Sequence, residues 1–125
     1  MRYVLLDTNF ILSCLRKKID FFDEIQLMGF HVLIPVQVIK ELENIQNSKQ
    51  KLHFKEDAKT AIKFLESRKF KKVGLDGKNV DYGIIKLAKE NEDFIVATLD
   101  REIRNKTKNP KLVIRGNKKL EVVTR

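Results

Sequence analysis

An α/β fold built around a parallel sheet is the class that this chain of 125 residues predicts, and three observations predict it. Short apolar runs alternate with stretches of helical periodicity, the pattern of strand–helix–strand units. The clearest runs, Tyr3-Val4-Leu5-Leu6 and Phe94-Ile95-Val96-Ala97-Thr98, are continuously apolar, as strands covered on both faces are. Each run is followed at once, or nearly so, by an aspartate, Asp7 and Asp100. That places a carboxylate at the C-terminal end of a buried strand, the edge where open α/β sheets hold their ligands.

The elements follow in order. After the strand 3–6, Asn9 to about Lys17 reads as a helix with Phe10, Ile11, Cys14 and Leu15 on one face. Asp20 to about Met28 is a second helical segment through Phe21, Phe22 and Ile25, and Gly29 punctuates it. His31 to Ile34 is a strand ended by Pro35, and Val36 to about Gln46 is a helix with Val38, Ile39, Leu42 and Ile45 at helical spacing. Asn47 to His53 is polar and reads as a loop, with helical periodicity resuming from Phe54 to Arg68. Within that lysine-rich stretch, Phe54 is expected in the core and His53 at the surface. Lys72 to Leu75 is a short strand, and Asn79 caps a helix that turns Val80, Ile84, Leu87 and Ala88 inward. Phe94 to Thr98 is a strand and Asp100 to about Thr107 a short helix. Leu112–Ile114 and Leu120–Val123 are read as edge strands. No repeat, low-complexity tract or Pro/Gly-rich linker interrupts the chain, so residues 1–125 are read as one domain.

Composition narrows the setting. A hydrophobic fraction of 42% supports a packed core, and 34% charged residues a well-solvated surface. No run of eighteen apolar residues occurs, and the N-terminus lacks the layout of a signal peptide. Cys14 is the only cysteine, placed in an apolar pattern where a buried thiol is expected, and no internal disulfide can form. A cytoplasmic protein with no membrane partner is the simplest reading. The formal net charge of +9 is uneven: residues 101–125 hold nine bases against two acids, a local net of +7. A tail this basic favours a polyanionic partner, RNA above all, over a merely solvated surface.

Four acids carry the chemistry. Asp7 and Asp100 stand at strand ends; Glu41 and Asp81 lie on helices beside the apolar stripe. Each has an ordinary structural use: Asp7 and Asp100 as helix caps, Asp81 as a complement to a helix dipole, Glu41 as a rim charge. Together in one small domain they are costly unless a cation neutralises them. Hard oxygen donors of this kind suit Mg²⁺ or Mn²⁺, which activate water and stabilise a departing oxygen in phosphate chemistry. Zinc fits less well, with only His31 and His53 and no nearby cysteine set. There is no GxxxxGK[ST] phosphate loop and no GxSxG elbow.

Leu6-Asp7-Thr8-Asn9, Val38-Ile39-Lys40-Glu41-Leu42, Asp81-Tyr82-Gly83-Ile84 with Ala88, and Val96-Ala97-Thr98-Leu99-Asp100-Arg101-Glu102 together resemble the PIN-domain nucleases. The resemblance spans nearly the whole chain and keeps the order of the motifs. It implies a three-layer α/β/α sandwich around a mainly parallel sheet, and Mg²⁺- or Mn²⁺-dependent cleavage of RNA. Asp7, Glu41, Asp81 and Asp100 match the family's acidic positions, and so are expected to be both metal-holding and catalytic. Asn9 matches a polar position near the metal and Thr98 a hydroxyl two residues before the last acid. Leu99 departs from the polar residue that many relatives carry there. Arg101 and Arg104, just after Asp100, are placed to reach RNA phosphates. The resemblance extends to archaeal stand-alone PIN proteins related to ribosomal-RNA processing factors and to toxin members of toxin–antitoxin pairs. The protein partners open to such a chain are therefore a second copy, an antitoxin, or a ribosome-assembly partner. A non-catalytic RNA-binding assembly factor is the alternative to an enzyme.

Overall fold

The computed structural model describes residues 2–116 and 118–124. Its elements are β1 (Tyr3–Leu6), α1 (Thr8–Arg16), α2 (Phe21–Leu27), β2 (His31–Pro35), α3 (Val36–Gln46), α4 (Leu52–Glu66), β3 (Lys71–Val73), α5 (Val80–Glu90), β4 (Ile95–Ala97), α6 (Arg101–Lys106), β5 (Lys111–Arg115) and β6 (Lys119–Val123). The six strands form one sheet in the order β3-β2-β1-β4-β5-β6, parallel except for the antiparallel β5–β6 pair.

Strand alternation sorts the core onto two faces. Val4 and Leu6 of β1, Val32 and Ile34 of β2, and Ile95 and Ala97 of β4 point to one side, where α1, α2, α3 and α4 bring Phe10, Phe22, Leu42 and Leu65. Leu5, Leu33 and Val96 point to the other, against Ile84 and Ala88 of α5 and Ile103 of α6. Helices therefore cover both faces, and the expected three-layer α/β/α sandwich is the structure. The central β1 and β4 run apolar without interruption because neither of their faces meets water, whereas the outer β3 and β6 carry exposed lysines and Glu121.

Chain order explains the switch of face. From β1 the chain builds outward through β2 to β3, then returns to lay β4 on the other side of β1. The reversal opens a crevice between the C-terminal ends of β1 and β4, which is the point where doubly wound sheets bind ligands.

Four expectations need correction. Leu112–Ile114 is not an edge strand: β5 lies inside the sheet between β4 and β6, because β6 folds back onto it through the Ile114↔Leu120 register. Helix α4 starts at Leu52 rather than Phe54, since a helix needs no buried residue in its first turn, and Leu52 and His53 are both exposed. Phe54 is 38% exposed, not buried, and lies against His53 with ring centroids 4.0 Å apart and planes tilted by 39°. Lys111, one of the nine bases of the tail expected to attract a polyanion, is only 7% exposed, its Nζ donating to the Thr107 and Asn109 carbonyl oxygens, so it offers no charge to a ligand. Cys14 is buried as expected, and burial pushes its thiol pKa up to about 12. Among the described residues no helix is long and apolar enough to cross a membrane.

The turn into β5 depends on one side chain. Asn109 Nδ2 donates to the carbonyl oxygens of Ala88, Asn91 and Phe94, at 3.0, 2.9 and 3.0 Å, tying the end of α5 to β4. Asn109→Ala would strand these partly buried acceptors, a loss of about 1–3 kcal/mol. A urea titration should show that drop, whereas Lys108→Ala, at an exposed neighbour, should leave the midpoint unchanged.

Candidate metal and active site

The β1–β4 register positions the first two acids. Leu6 pairs with Ala97, and the Asp7 amide extends the ladder by donating to the Ala97 carbonyl at 3.0 Å. Asp7 thus lies alongside Thr98, whose hydroxyl donates to Asp7 Oδ2 at 2.8 Å. Asp7 Oδ1 accepts from the Thr8 amide at 2.8 Å, capping α1. The same Thr98 Oγ1 accepts from the Asp100 amide at 3.0 Å, so one hydroxyl bridges both strand-end acids. Asp100 in turn caps α6, with Oδ1 accepting from Glu102 and Ile103 amides at 2.8 and 3.1 Å. Capping and ligand placement are compatible at Asp100: the cap occupies one carboxylate oxygen.

Glu41 comes from α3 and Asp81 from the first turn of α5. Val38 and Leu42 bury the inner face of α3, which leaves Glu41 half-buried on its flank, and the Thr8 hydroxyl donates to Glu41 Oε1. Asn79 caps α5 through the Tyr82 amide at 2.7 Å, fixing the turn that carries Asp81. A brace sets the spacing between the two helices. The Gln37 side chain of α3 exchanges two 3.1 Å hydrogen bonds with the Leu75 backbone. Gly83 of α5 packs on that same loop so closely that a Cβ there would come within 2.6 Å of Leu75 Cβ and 2.9 Å of the Asp76 carbonyl oxygen. Only glycine permits that approach.

Asp7, Glu41, Asp81 and Asp100 all line one cleft of about 420 Å³, together with Thr8, Asn9, Asn44 and Ile45. All four predicted acids are brought together, and Asn9 stands with them. Thr98 is 3% exposed and acts from behind Asp7. Arg104 is exposed and faces a neighbouring groove, while Arg101 is exposed and lines neither cavity. Glu102 is not among the four acids that the sequence singles out. It can offer a carboxylate oxygen within 4.8 Å of those of Asp81 and Asp100. Its position two residues after a strand-end acid was the available signal, but it also suits a helix first turn, as it does here. Thr8 and Asn44 carried no distinguishing signal.

The electrostatics match the crowding. Burial, first of all, pushes the Asp7 carboxyl pKa up, with Asp81 and Glu41 adding to it and the Thr98 and Thr8 hydrogen bonds opposing. Burial also raises the Asp81 pKa, followed by the charges of Asp100, Glu41 and Glu102. The donors are all oxygens, and neither His31 nor His53 lines the cleft. A hard divalent cation fits this all-oxygen set, and zinc suits it less well.

A partly buried cluster of carboxylates at the switch point of a doubly wound sheet is the arrangement of a divalent-metal nuclease fold, and the comparisons with known proteins agree. The chain matches the PIN-like domain family over residues 4–116, and it belongs to that family. It is 31% identical over 128 residues to Ribonuclease VapC4 of Methanocaldococcus jannaschii, covering 98% of this chain and 97% of that protein. In fold it is similar to the PIN domain endonuclease Utp24, with a TM-score of 0.77 at 23% identity, over 96% of this chain and 90% of that one.

The raised pKa values have a signed consequence. An acid whose folded pKa exceeds its unfolded value penalises the folded state once ionised. For Asp7 and Asp81 the penalty is absent below the ordinary carboxylate range and grows as pH rises through their raised pKa values. Asp7→Asn removes one such charge; its carbonyl oxygen can keep the Thr8 cap, and its amide can donate to Thr98 Oγ1. In EDTA, its melting temperature relative to the parent should therefore rise between pH 4 and pH 8. Thermal melts at the two pH values check this, and a variant that is equally destabilised at both would make Asp7 a cap and nothing more.

Proposed function

We propose that this chain is a divalent-metal-dependent endoribonuclease that hydrolyses RNA phosphodiester bonds in the four-acid cleft. The convergence of Asp7, Glu41, Asp81 and Asp100 at the β1–β4 crevice carries the reading. The relatives support it, since one is named a ribonuclease and the other an endonuclease. Asp7, Asp81 and Asp100 would hold Mg²⁺ or Mn²⁺, and Glu41 would ligate the ion or orient the attacking water. When bound, such a cation supplies Lewis-acid chemistry, lowering the pKa of water and offsetting phosphate charge.

The chain's own residues do the rest. Thr98 and the Thr8 amide hold both Asp7 oxygens, so the carboxylate cannot rotate away from the cleft. The Thr8 hydroxyl orients Glu41 in the same way. Asn9, exposed at the rim, offers a polar contact to a phosphate oxygen or water. In the hydrolysis a water oxygen bonds to phosphorus as one phosphorus–oxygen ester bond breaks, and the departing oxygen ends protonated. Glu41 would accept the water's proton. Arg101 and Arg104, both exposed at the start of α6, would hold phosphates flanking the scissile bond.

Labelled RNA incubated with the protein and Mn²⁺ should be cut, and EDTA should stop the reaction. Asp7→Asn and Glu41→Gln should each lower turnover by at least about 100-fold, the scale set by losing one preorganised electrostatic group. Glu43→Gln, on the exposed side of α3, should match the parent. Cleavage that persists in EDTA would remove the metal from the mechanism. Absence of cleavage with RNA binding retained would instead favour an assembly factor.

The exposed Lys118 and Lys119 at the far end of the β5–β6 hairpin, and Lys106, which pairs with Glu102 at 2.9 Å, should act by charge alone. Replacing all three with glutamine should weaken RNA binding and reduce its salt slope by up to about 2, with turnover of bound RNA unchanged.

A further inference from the structure

Beside the acidic cleft, across the β4–α6 turn, lies a second and larger groove of about 1110 Å³ between α6 and the β5–β6 hairpin. Arg104, Lys108 and Arg115 stand along it, and the residues lining it include no carboxylate. Arg104 and Lys108 are exposed and are paired with no acid among the described residues; Arg115 is held by Glu121 at 3.3 Å, both well exposed. Lys111 also borders it but uses its ammonium on carbonyl oxygens, as described. The floor, by contrast, is apolar: Leu99, Val113 and Val123 line it. Leu99 is 44% exposed, which leaves its side chain open to a ligand in the groove.

The turn Thr98-Leu99-Asp100 is the partition between the two cavities. Thr98 donates to Asp7 and Asp100 lines the acidic cleft, while Leu99 projects into the basic groove. A chain with its reacting phosphate among the acids would need to turn only past Leu99 to enter the groove. A ligand that is anionic along its backbone and apolar on its faces complements a basic rim over an apolar floor.

We propose that this groove is a nucleotide-binding subsite for the RNA flank beside the scissile bond. Leu99 and the apolar floor hold unstacked bases, and Arg104, Lys108 and Arg115 hold the intervening phosphates. Leu99 is then a positioning residue: it orients the base next to the cleft without touching the reacting atoms. The assignment rests on the nuclease reading for the position of the scissile bond, but binding in the groove requires no cleavage.

The experiment is a fluorescence-anisotropy titration of the intact chain in EDTA, with a labelled twelve-nucleotide RNA and the same length of abasic backbone. Leu99→Ser should weaken the RNA about tenfold, equivalent to one lost base contact, and leave the abasic strand unchanged. The triple variant Arg104→Gln, Lys108→Gln, Arg115→Gln should weaken both and lower the salt slope by about 2. Thermal melts confirm that these exposed substitutions leave the fold intact. Equal effects of Leu99→Ser on both ligands, or a triple variant with an unchanged slope, would overturn the proposal. So would a triple variant that loses only a labelled polyglutamate peptide, which would make the groove a site for an acidic protein segment. Loss of Mn²⁺-dependent cleavage with groove binding intact would count against the nuclease reading alone.

Discussion

The structure turns on a single hydroxyl. Thr98 donates to Asp7 at the end of β1 and accepts from the amide of Asp100 after β4, so the two strand-end acids are locked to one point. That point exists only because β1 and β4 are parallel neighbours in the Leu6↔Ala97 register. A slip by one residue would turn Leu6 and Ala97 onto the opposite face and carry Thr98 away from Asp7. The apolar core and the acidic cleft are therefore two readings of one register. Hydrophobic burial enforces it: each fully buried Leu or Ile stabilises by about 1.5–3 kcal/mol, so a few such side chains outweigh the strain of the clustered acids.

That strain has a use. The chain is strongly basic as a whole, yet five of its seventeen acids meet at one cleft, where burial and neighbouring charges raise the pKa values of Asp7 and Asp81. Among the described residues no buried side-chain nitrogen or oxygen lacks a hydrogen-bond partner, and Asp7, Glu41 and Asp100 are each held by hydrogen bonds. A divalent cation relieves the repulsion, and a basic exterior draws an anionic chain toward it. The two fields cooperate because the turn at Leu99 keeps them on opposite sides of a thin wall.

Rigidity reaches the cleft from outside it. The Gln37–Leu75 exchange and the close packing of Gly83 on the same loop join α3 to α5, the helices that carry Glu41 and Asp81. Asn109 performs the comparable task between α5 and β4. None of these residues faces the cleft, but each limits how far a carboxylate can drift.

The sequence by itself determined the class of fold, nearly every element, and the four acids. It could do so because buried parallel strands leave unbroken apolar runs, and an acid directly after such a run has few ordinary uses. Resemblance to the PIN domains then named the layers around the sheet. What only the tertiary structure decided was adjacency. The interior position of β5 depends on β6 folding back onto it, which no local pattern records. Phe54 and Lys111 exchange their expected environments because burial follows from neighbours far along the chain and from carbonyls left free by a turn. Glu102 and Thr8 join the acids through helix caps whose sequence is commonplace. The basic groove belongs to the same category: its apolar floor and its charged rim come from α6, β5 and the Leu99 turn, segments that meet only when the sheet closes its order.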